Sequence, residues 1–322
     1  MQKVIGIGET VLDIIFRNDQ PIHAVPGGST FNAIISLARA GVQTSFISET
    51  GNDRIGRNII QFLRDNGCNA DCVNVYPDSK SPLSLAFLNE QNDAEYIFYK
   101  DHPHDRLDFT FPDVQPDDLV LFGSYYALNP VIRPLVKEFL EYAHQRGAIL
   151  YYDVNFRASH QHEVIKLTPN LLENFELADI VRGSAEDFEL LFKKTDPDTI
   201  YRSQISFYTK KFIYTQADKP IELRADGGLS KQYPIQPIET VSTIGAGDNF
   251  NAGLLFGLIA NGITHADMEQ GLTEAQWDSI VESGQMFSAE ACRSLYNYVS
   301  PEFGAERKEY LESLEINNLK TE

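Results

Sequence analysis

Thr240-Val241-Ser242-Thr243-Ile244-Gly245-Ala246-Gly247-Asp248 runs straight into Asn249-Phe250-Asn251-Ala252-Gly253-Leu254-Leu255-Phe256-Gly257-Leu258-Ile259. The second stretch is long, apolar and poor in β-branched residues, which predicts a buried helix. Gly253 and Gly257 fall one turn apart on it and let it approach a neighbour closely. Gly245 and Gly247 can gather backbone N–H groups at the helix N-terminus. Unpaired N–H groups and the helix dipole favour an anion there. Asp248 is out of place if the only purpose is to attract phosphate, because it repels one. It makes sense as a base that faces an attacking hydroxyl and takes its proton. The competing reading is a tight turn with Asp248 as an ordinary N-cap, and these residues alone support both.

At the other end of the chain stands Pro26-Gly27-Gly28-Ser29-Thr30-Phe31-Asn32. Paired glycines ahead of a helix permit close approach of the backbone to a ligand. Asn32, on the first turn, carries both a donor and an acceptor, which suits sugar hydroxyls. Asp13 can accept from two neighbouring hydroxyls. Read alone, this stretch is more simply a helix-entry turn with a loop carboxylate nearby.

Between these motifs, strand-like runs alternate with helical ones, the pattern of a parallel sheet with crossover helices. Strands are expected at Val4 to Ile7, Thr44 to Ser48, Leu119 to Phe122, Ala148 to Tyr152, Ile180 to Arg182 and Phe212 to Thr215. Helices are expected at Thr30 to Ala40, capped by Ser29 or Thr30 and closed by Gly41, and at Ile55 to Asn66, Pro134 to Arg146 and Ala185 to Lys193. Two segments break the alternation. Residues 81–88 and 94–99 read as a hairpin with a polar turn at Asn89 to Asp93, and Ile14 to Val25 as an irregular β segment. Together they predict a small extra sheet over the carboxyl edge of the main one, where open α/β folds bind ligands. Such a sheet serves as a lid, a dimer contact, or both.

The bulk numbers narrow the function. The 322 residues carry 27 basic and 46 acidic side chains, a formal charge of -19. That field repels nucleic acid and anionic membranes, so neither is expected as a partner. No run approaches the ~18 apolar residues of a membrane span, and the first residues lack a signal-peptide pattern. A cytoplasmic protein is expected. Cys68, Cys72 and Cys292 form neither a disulfide framework nor a zinc-ligand set. Gly6-x-Gly8 lacks the third glycine of a dinucleotide fingerprint, and no Gly-Lys dipeptide exists for a P-loop. His102-Pro103-His104-Asp105-Arg106 has the wrong order for a protein-kinase catalytic loop.

Taken together, the two glycine motifs resemble the signatures of the ribokinase-like, or PfkB, family of carbohydrate kinases. Gly27-Gly28-x3-Asn32, continuing through Gly41 to Gly51, resembles the N-terminal signature, and Ser242-Thr243-Ile244-Gly245-Ala246-Gly247-Asp248-x3-Ala252-Gly253 the C-terminal one. The likeness covers nearly the whole chain. It implies a single ribokinase-like domain over residues 1–322, with a three-layer α/β/α fold, a mostly parallel central sheet and a β lid from about 14–25 and 81–112. It implies transfer of the ATP γ-phosphoryl group to a primary hydroxyl, with Mg²⁺. Asp248 takes the place of the general base, and Gly245, Ala246 and Gly247 that of the anion hole. Asp13, Gly27, Gly28 and Asn32 match sugar-binding positions. Asp153-Val154-Asn155-Phe156-Arg157 resembles a segment of fructokinase-like and 2-keto-3-deoxygluconate kinase-like members, making Arg157 a candidate substrate or phosphate contact. Ser184, Thr215, Gln216 and Thr243 join Gly245 and Gly247 as candidate nucleotide contacts.

The departures are specific. Ser184 stands where the family often has Asn, and Asp187 where it has Glu, so Glu186 or Asp187 is the candidate metal ligand. Ser242 replaces an acidic residue that often helps bind a monovalent cation, which argues against potassium activation. Ala217 replaces the glycine of a Thr-x-Gly nucleotide loop. The favoured acceptor is a fructose-like ketohexose, with a 2-keto-3-deoxy sugar acid or a nucleoside as alternatives. A sugar-binding regulator without catalysis is the alternative of another class. A homodimer through the lid is also expected.

Overall fold

The computed structural model describes residues 2–89, 94–100 and 111–321. Most of the expected hairpin turn (90–93), residues 101–110 of the expected lid and the His102 to Arg106 stretch lie outside the described residues. In chain order the first elements are β1 (Val4–Ile7), β2 (Val11–Arg17), β3 (Gln20–Gly27), α1 (Ser29–Arg39), β4 (Thr44–Gly51), α2 (Arg54–Asp65), β5 (Cys68–Asn69), β6 (Val73–Tyr76), β7 (Leu83–Leu88) and β8 (Ala94–Tyr99). Next come β9 (Leu119–Gly123), α3 (Ser124–Leu128), α4 (Arg133–Gln145), β10 (Ile149–Asp153), α5 (Val164–Leu177), β11 (Ile180–Ser184), α6 (Ala185–Phe192), α7 (Pro197–Ile200), β12 (Lys211–Gln216), β13 (Lys219–Arg224) and β14 (Ser230–Tyr233). The chain ends with α8 (Ala246–Ala260), α9 (His265–Gln270), α10 (Glu274–Ala291) and α11 (Pro301–Thr321).

These elements fall into two compact units. One comprises residues 1–112, 238–262 and 279–322, and the other residues 113–237 and 263–278. In the first unit β4 pairs in parallel with β1, β5 and β6. In the second, β9, β10, β11 and β12 pair in parallel, and β13 and β14 continue antiparallel. The buried strands of both units are near-continuous apolar runs such as Val4-Ile5-Gly6-Ile7 and Leu119-Val120-Leu121-Phe122, as strands covered on both faces require. Together with the separate small sheet, this is the α/β fold that the alternation predicted.

The first unit also carries a separate four-stranded sheet in the order β3-β2-β7-β8. Both β segments that broke the alternation belong to it. The segment read as irregular is a hairpin that begins at Val11, turns in two residues and shifts register between Ile15 and Phe16, so the irregularity is real. Asn18 and Asp19 take left-handed φ of 51° and 58°, the geometry a tight hairpin turn needs. β2 then pairs in parallel with β7, Asp13 opposite Ser84.

Helix α8 is buried from Asn249 to Ile259. A Cβ added at Gly253 would lie 2.3 Å from the Ser283 carbonyl, and one at Gly257 2.8 Å from Ile280 Cα. The two glycines therefore let α8 meet α10 backbone against backbone, as their spacing predicts. The N-terminus of α8 is set at the depth of this contact.

Candidate active site

In the first unit, α1 and α8 bring the two glycine motifs together. The N-cap of α8 is Gly245, with φ 76° and no side-chain cap bond. Asp248 is the third residue of the helix, so it is not the cap. Its Oδ1 accepts from Ser29 Oγ at 2.8 Å and its Oδ2 from Asn32 Nδ2 at 2.8 Å. Both donors sit on the first turn of α1, so one helix start aims the carboxylate of the other. Ser29 or Thr30 was expected as the cap of α1. The N-cap is Gly28 instead, with φ 129° and no side-chain bond, because the Ser29 hydroxyl is turned to Asp248. A Cβ at Gly28 would sit 2.2 Å from the Glu9 carbonyl, so glycine is required there on both counts.

Asp13, on β2, is 6% exposed. Its Oδ2 accepts from Asn297 Nδ2 at 2.6 Å, and a Cβ at Gly27 would fall 2.0 Å from that oxygen. Around Gly245, the Ala246 N–H closes a turn on the Thr243 carbonyl, and the Asn249 side chain donates to the carbonyls of Gly245 and Asn297. The Gly247 N–H belongs to the first helical turn, whose donors have no carbonyl within the helix. Thr243 itself is exposed. Ser242 is 1% exposed, and its hydroxyl accepts from the Ile244 N–H at 3.1 Å.

The remaining candidates sit in the second unit, at the carboxyl ends of β9 to β12. Asn155 and Ser124 hold left-handed φ of 34° and 55°, and Asn155 Nδ2 donates to Ser124 Oγ at 2.8 Å. Strained backbone of this kind gathers at functional sites. Arg157 is exposed just beyond. Below it, buried Arg182 donates to Asp153 Oδ1 at 3.0 Å and to Thr215 Oγ1 at 2.7 Å, joining three adjacent strands. Burial pulls the Arg182 guanidinium down, but the Asp153 carboxylate and its neighbours outweigh that and hold it above its usual value. Gln216, half-buried, ends β12.

Ser184 and Asp187 form a reciprocal cap at the start of α6. The Asp187 carboxylate accepts from Ser184 N–H at 2.6 Å, Ser184 Oγ at 2.8 Å and Phe156 N–H at 2.7 Å. Burial, with the nearby Asp153 charge, pushes this carboxyl above the ordinary aspartate range. Glu186, one residue earlier, is exposed. No cluster of three or more His, Cys, Asp or Glu that could hold a metal occurs among the described residues.

The sequence profile of the pfkB family of carbohydrate kinases matches residues 1–293. The chain belongs to this family. As a pfkB-family carbohydrate kinase it is an ATP-using enzyme. It is 26% identical over 285 residues to "Probable fructokinase-6, chloroplastic" of Arabidopsis thaliana, covering 84% of this chain and 74% of that protein. It is 27% identical over 263 residues to the 5-dehydro-2-deoxygluconokinase of Geobacillus thermodenitrificans, covering 77% of each. The solved fructokinase of Vibrio cholerae O395, bound to fructose, ADP and calcium ion, superposes with a TM-score of 0.81 at 19% identity, over 97% of this chain and 99% of that one. The fold is therefore the ribokinase-like one that the two signatures implied. No helix among the described residues is long and apolar enough to cross a membrane.

For three residues that shape the candidate site of this pfkB-family kinase, the sequence did not show the partner. Ser29 looked like a cap, and its partner lies 219 positions away. Arg182 sat inside an apolar strand run, where its charge was the one visible oddity. Asn297 belongs to no motif at all.

Proposed function

We propose that this carbohydrate kinase transfers the ATP γ-phosphoryl group to a primary hydroxyl of a fructose-like ketohexose, with Asp248 as the base. The observation that carries the reading is the double hydrogen bond from Ser29 and Asn32 to Asp248. A carboxylate held this way at the third helical position does not cap α8. It is fixed to receive a proton.

Phosphoryl transfer needs positioning and charge neutralisation more than covalent work by the protein. The acceptor hydroxyl gives its proton to Asp248 as its oxygen bonds to the γ-phosphorus. The bond from that phosphorus to the bridging oxygen breaks, and ADP leaves. The Gly245-Ala246-Gly247 turn faces the developing charge, with Gly247 the better donor because the Ala246 N–H is engaged by Thr243. Asp13 and Asn32 receive the sugar hydroxyls between Gly27 and Gly28. Ser184, Thr215, Gln216 and Thr243 are assigned to the nucleotide. Mg²⁺ would supply charge neutralisation at the phosphates, held by an acidic side chain of this chain. Of the two acidic candidates Glu186 fits that role. Asp187 fits it less well, because it is buried and three donors already share its oxygens.

A keto-deoxy sugar acid is the second reading. Exposed Arg157 suits a carboxylate, and a relative named for such a substrate is among the similar proteins. The four-stranded sheet is assigned as the lid. Exposed Ile22 and Ile97 on it offer a face for a second copy. ADP release measured with fructose, a keto-deoxy sugar acid and a nucleoside tests the assignment. Fructose is expected to give the highest kcat/KM. Binding without turnover across the panel would make the protein a sugar-binding regulator instead.

A further inference from the structure

Asn297 lies in the loop between α10 and α11 and is fully buried. Its side chain reaches Asp13, with Nδ2 2.6 Å from Oδ2. Its backbone reaches the start of α8, where the Asn297 carbonyl accepts from Asn249 Nδ2 at 2.8 Å. The glycines of both signatures make room for this one residue. A Cβ at Gly27 would fall 2.9 Å from Asn297 Nδ2, and a Cβ at Gly245 would fall 2.5 Å from the Asn297 carbonyl oxygen.

The loop that carries Asn297 is tied down on both sides. Tyr298 donates to the Pro26 carbonyl at 3.4 Å, the Val299 N–H donates to Ser36 Oγ at 3.2 Å, and the Tyr296 ring meets His23 edge-on at 4.9 Å. Ser36 in turn donates to Asn249 Oδ1. One continuous set of bonds thus runs from Asp13 on β2 through Asn297 to the first turn of α8, where Asp248 sits.

We propose that Asn297 is a positioning residue that orients the Asp13 carboxylate toward the acceptor sugar and fixes its distance from the anion-hole turn. The proposal rests on the reading of Asp13 as a sugar contact. The chemistry demands an uncharged donor. A carboxylate oxygen only accepts, so Asn297 must present its NH₂, and a residue of the same shape without that donor loses this bond to Asp13.

Asn297→Asp keeps the shape and replaces the donor by a second carboxyl. Two carboxyls at this distance hold one proton between them, and the shared proton restores the bond. Once that proton leaves, the two charges repel and Asp13 swings away. The sugar KM of the variant is therefore expected to match wild type at low pH and to rise about 10- to 100-fold at high pH. The ATP KM is expected to stay flat. Tyr298, His23 and Asp248 also titrate or carry charge around the pair, but wild type holds all three, so its own pH profile is the baseline.

Sugar and ATP KM are measured from pH 5.5 to 9 for wild type, Asp13→Asn and Asn297→Asp. A raised sugar KM in Asp13→Asn, together with a pH-dependent sugar KM in Asn297→Asp, supports the proposal. A raised sugar KM in Asp13→Asn with a pH-independent one in Asn297→Asp overturns it and leaves the sugar role of Asp13 standing. An unchanged sugar KM in Asp13→Asn removes that role and the proposal with it. Should Asn297→Asp fail to fold, Asn297→Ser serves, since its hydroxyl is too short to reach Asp13. A rise in sugar KM alone then supports the role, and an equal rise in sugar and ATP KM refutes it.

Discussion

Gly245 is held by two separate constraints, and a substitution there weighs them against each other. Its φ of 76° is one an L-residue adopts at a cost of about 1–2 kcal/mol. A Cβ there would also lie 2.5 Å from the Asn297 carbonyl oxygen, and that oxygen is held by the Asn249 amide. Overpacking of this kind costs about 1–3 kcal/mol. Alanine stiffens the unfolded chain, which returns about 0.4–1 kcal/mol. Gly245→Ala is therefore expected to destabilise by about 1–5 kcal/mol, a large share of a typical total of about 5–15 kcal/mol. Gly262, just beyond the far end of the same helix, isolates the backbone part. Its φ is 61°, and a Cβ there meets nothing within 4 Å. Gly262→Ala should cost about 0–1.6 kcal/mol by the same backbone terms. Urea unfolding of both variants measures the difference, and ADP release measures the function. Gly245→Ala should lose turnover and Gly262→Ala should keep it. If Gly245→Ala proves no more costly than Gly262→Ala, the contact with Asn297 does not constrain the turn and the reasoning fails.

Three further outcomes are expected. Ala217 holds a left-handed φ of 43°, so Ala217→Gly should stabilise by about 0.5–1 kcal/mol; an unchanged or lower thermal midpoint would contradict this. Burial pushes the Asp53 carboxyl up, but donors from Gly56 N–H and from the Ser81 N–H and hydroxyl outweigh it and hold it below the ordinary aspartate range. A depressed carboxyl stabilises the fold above its unfolded value and loses that contribution as pH falls through the folded one. Asp53→Ala should thus cost about 1–2 kcal/mol at pH 7, with the gap to wild type closing as pH drops below about 4; a gap independent of pH would refute it. Ser242 is buried and neutral, with its hydroxyl on Ile244 and its N–H on the Cys292 carbonyl. Replacing sodium by potassium should leave kcat unchanged, and several-fold activation would show that a cation site survives.

The fold was legible because its strands are short apolar runs and its helices end at glycines such as Gly41 and Gly67, which take φ of 82° and 81°. The hairpin at Asn18-Asp19 was harder to see, since neither turn residue is the glycine that usually marks such a turn. Part of the candidate site is local in the same way. Gly27, Gly28, Gly245 and Asp248 stand beside the helix starts they shape. What the sequence hid was partnership across distance. Nothing near Ser29 tells its hydroxyl to leave its own helix for Asp248, and nothing near Asn297 points to Asp13. Asp187 carries two readings: the family resemblance makes it a metal candidate, while Ser184-x-x-Asp187 is also the spacing of a capping box, which the structure shows with three donors on the carboxylate.

The central claim is that Asp248 takes the proton of the acceptor hydroxyl. Asn in its place keeps the shape and an oxygen for Asn32 but cannot accept that proton. Turnover and the binding of sugar and ATP to Asp248→Asn test the claim most directly. The account predicts that kcat falls about 10²- to 10⁴-fold while both ligands bind as to wild type. Turnover at the wild-type rate would contradict it.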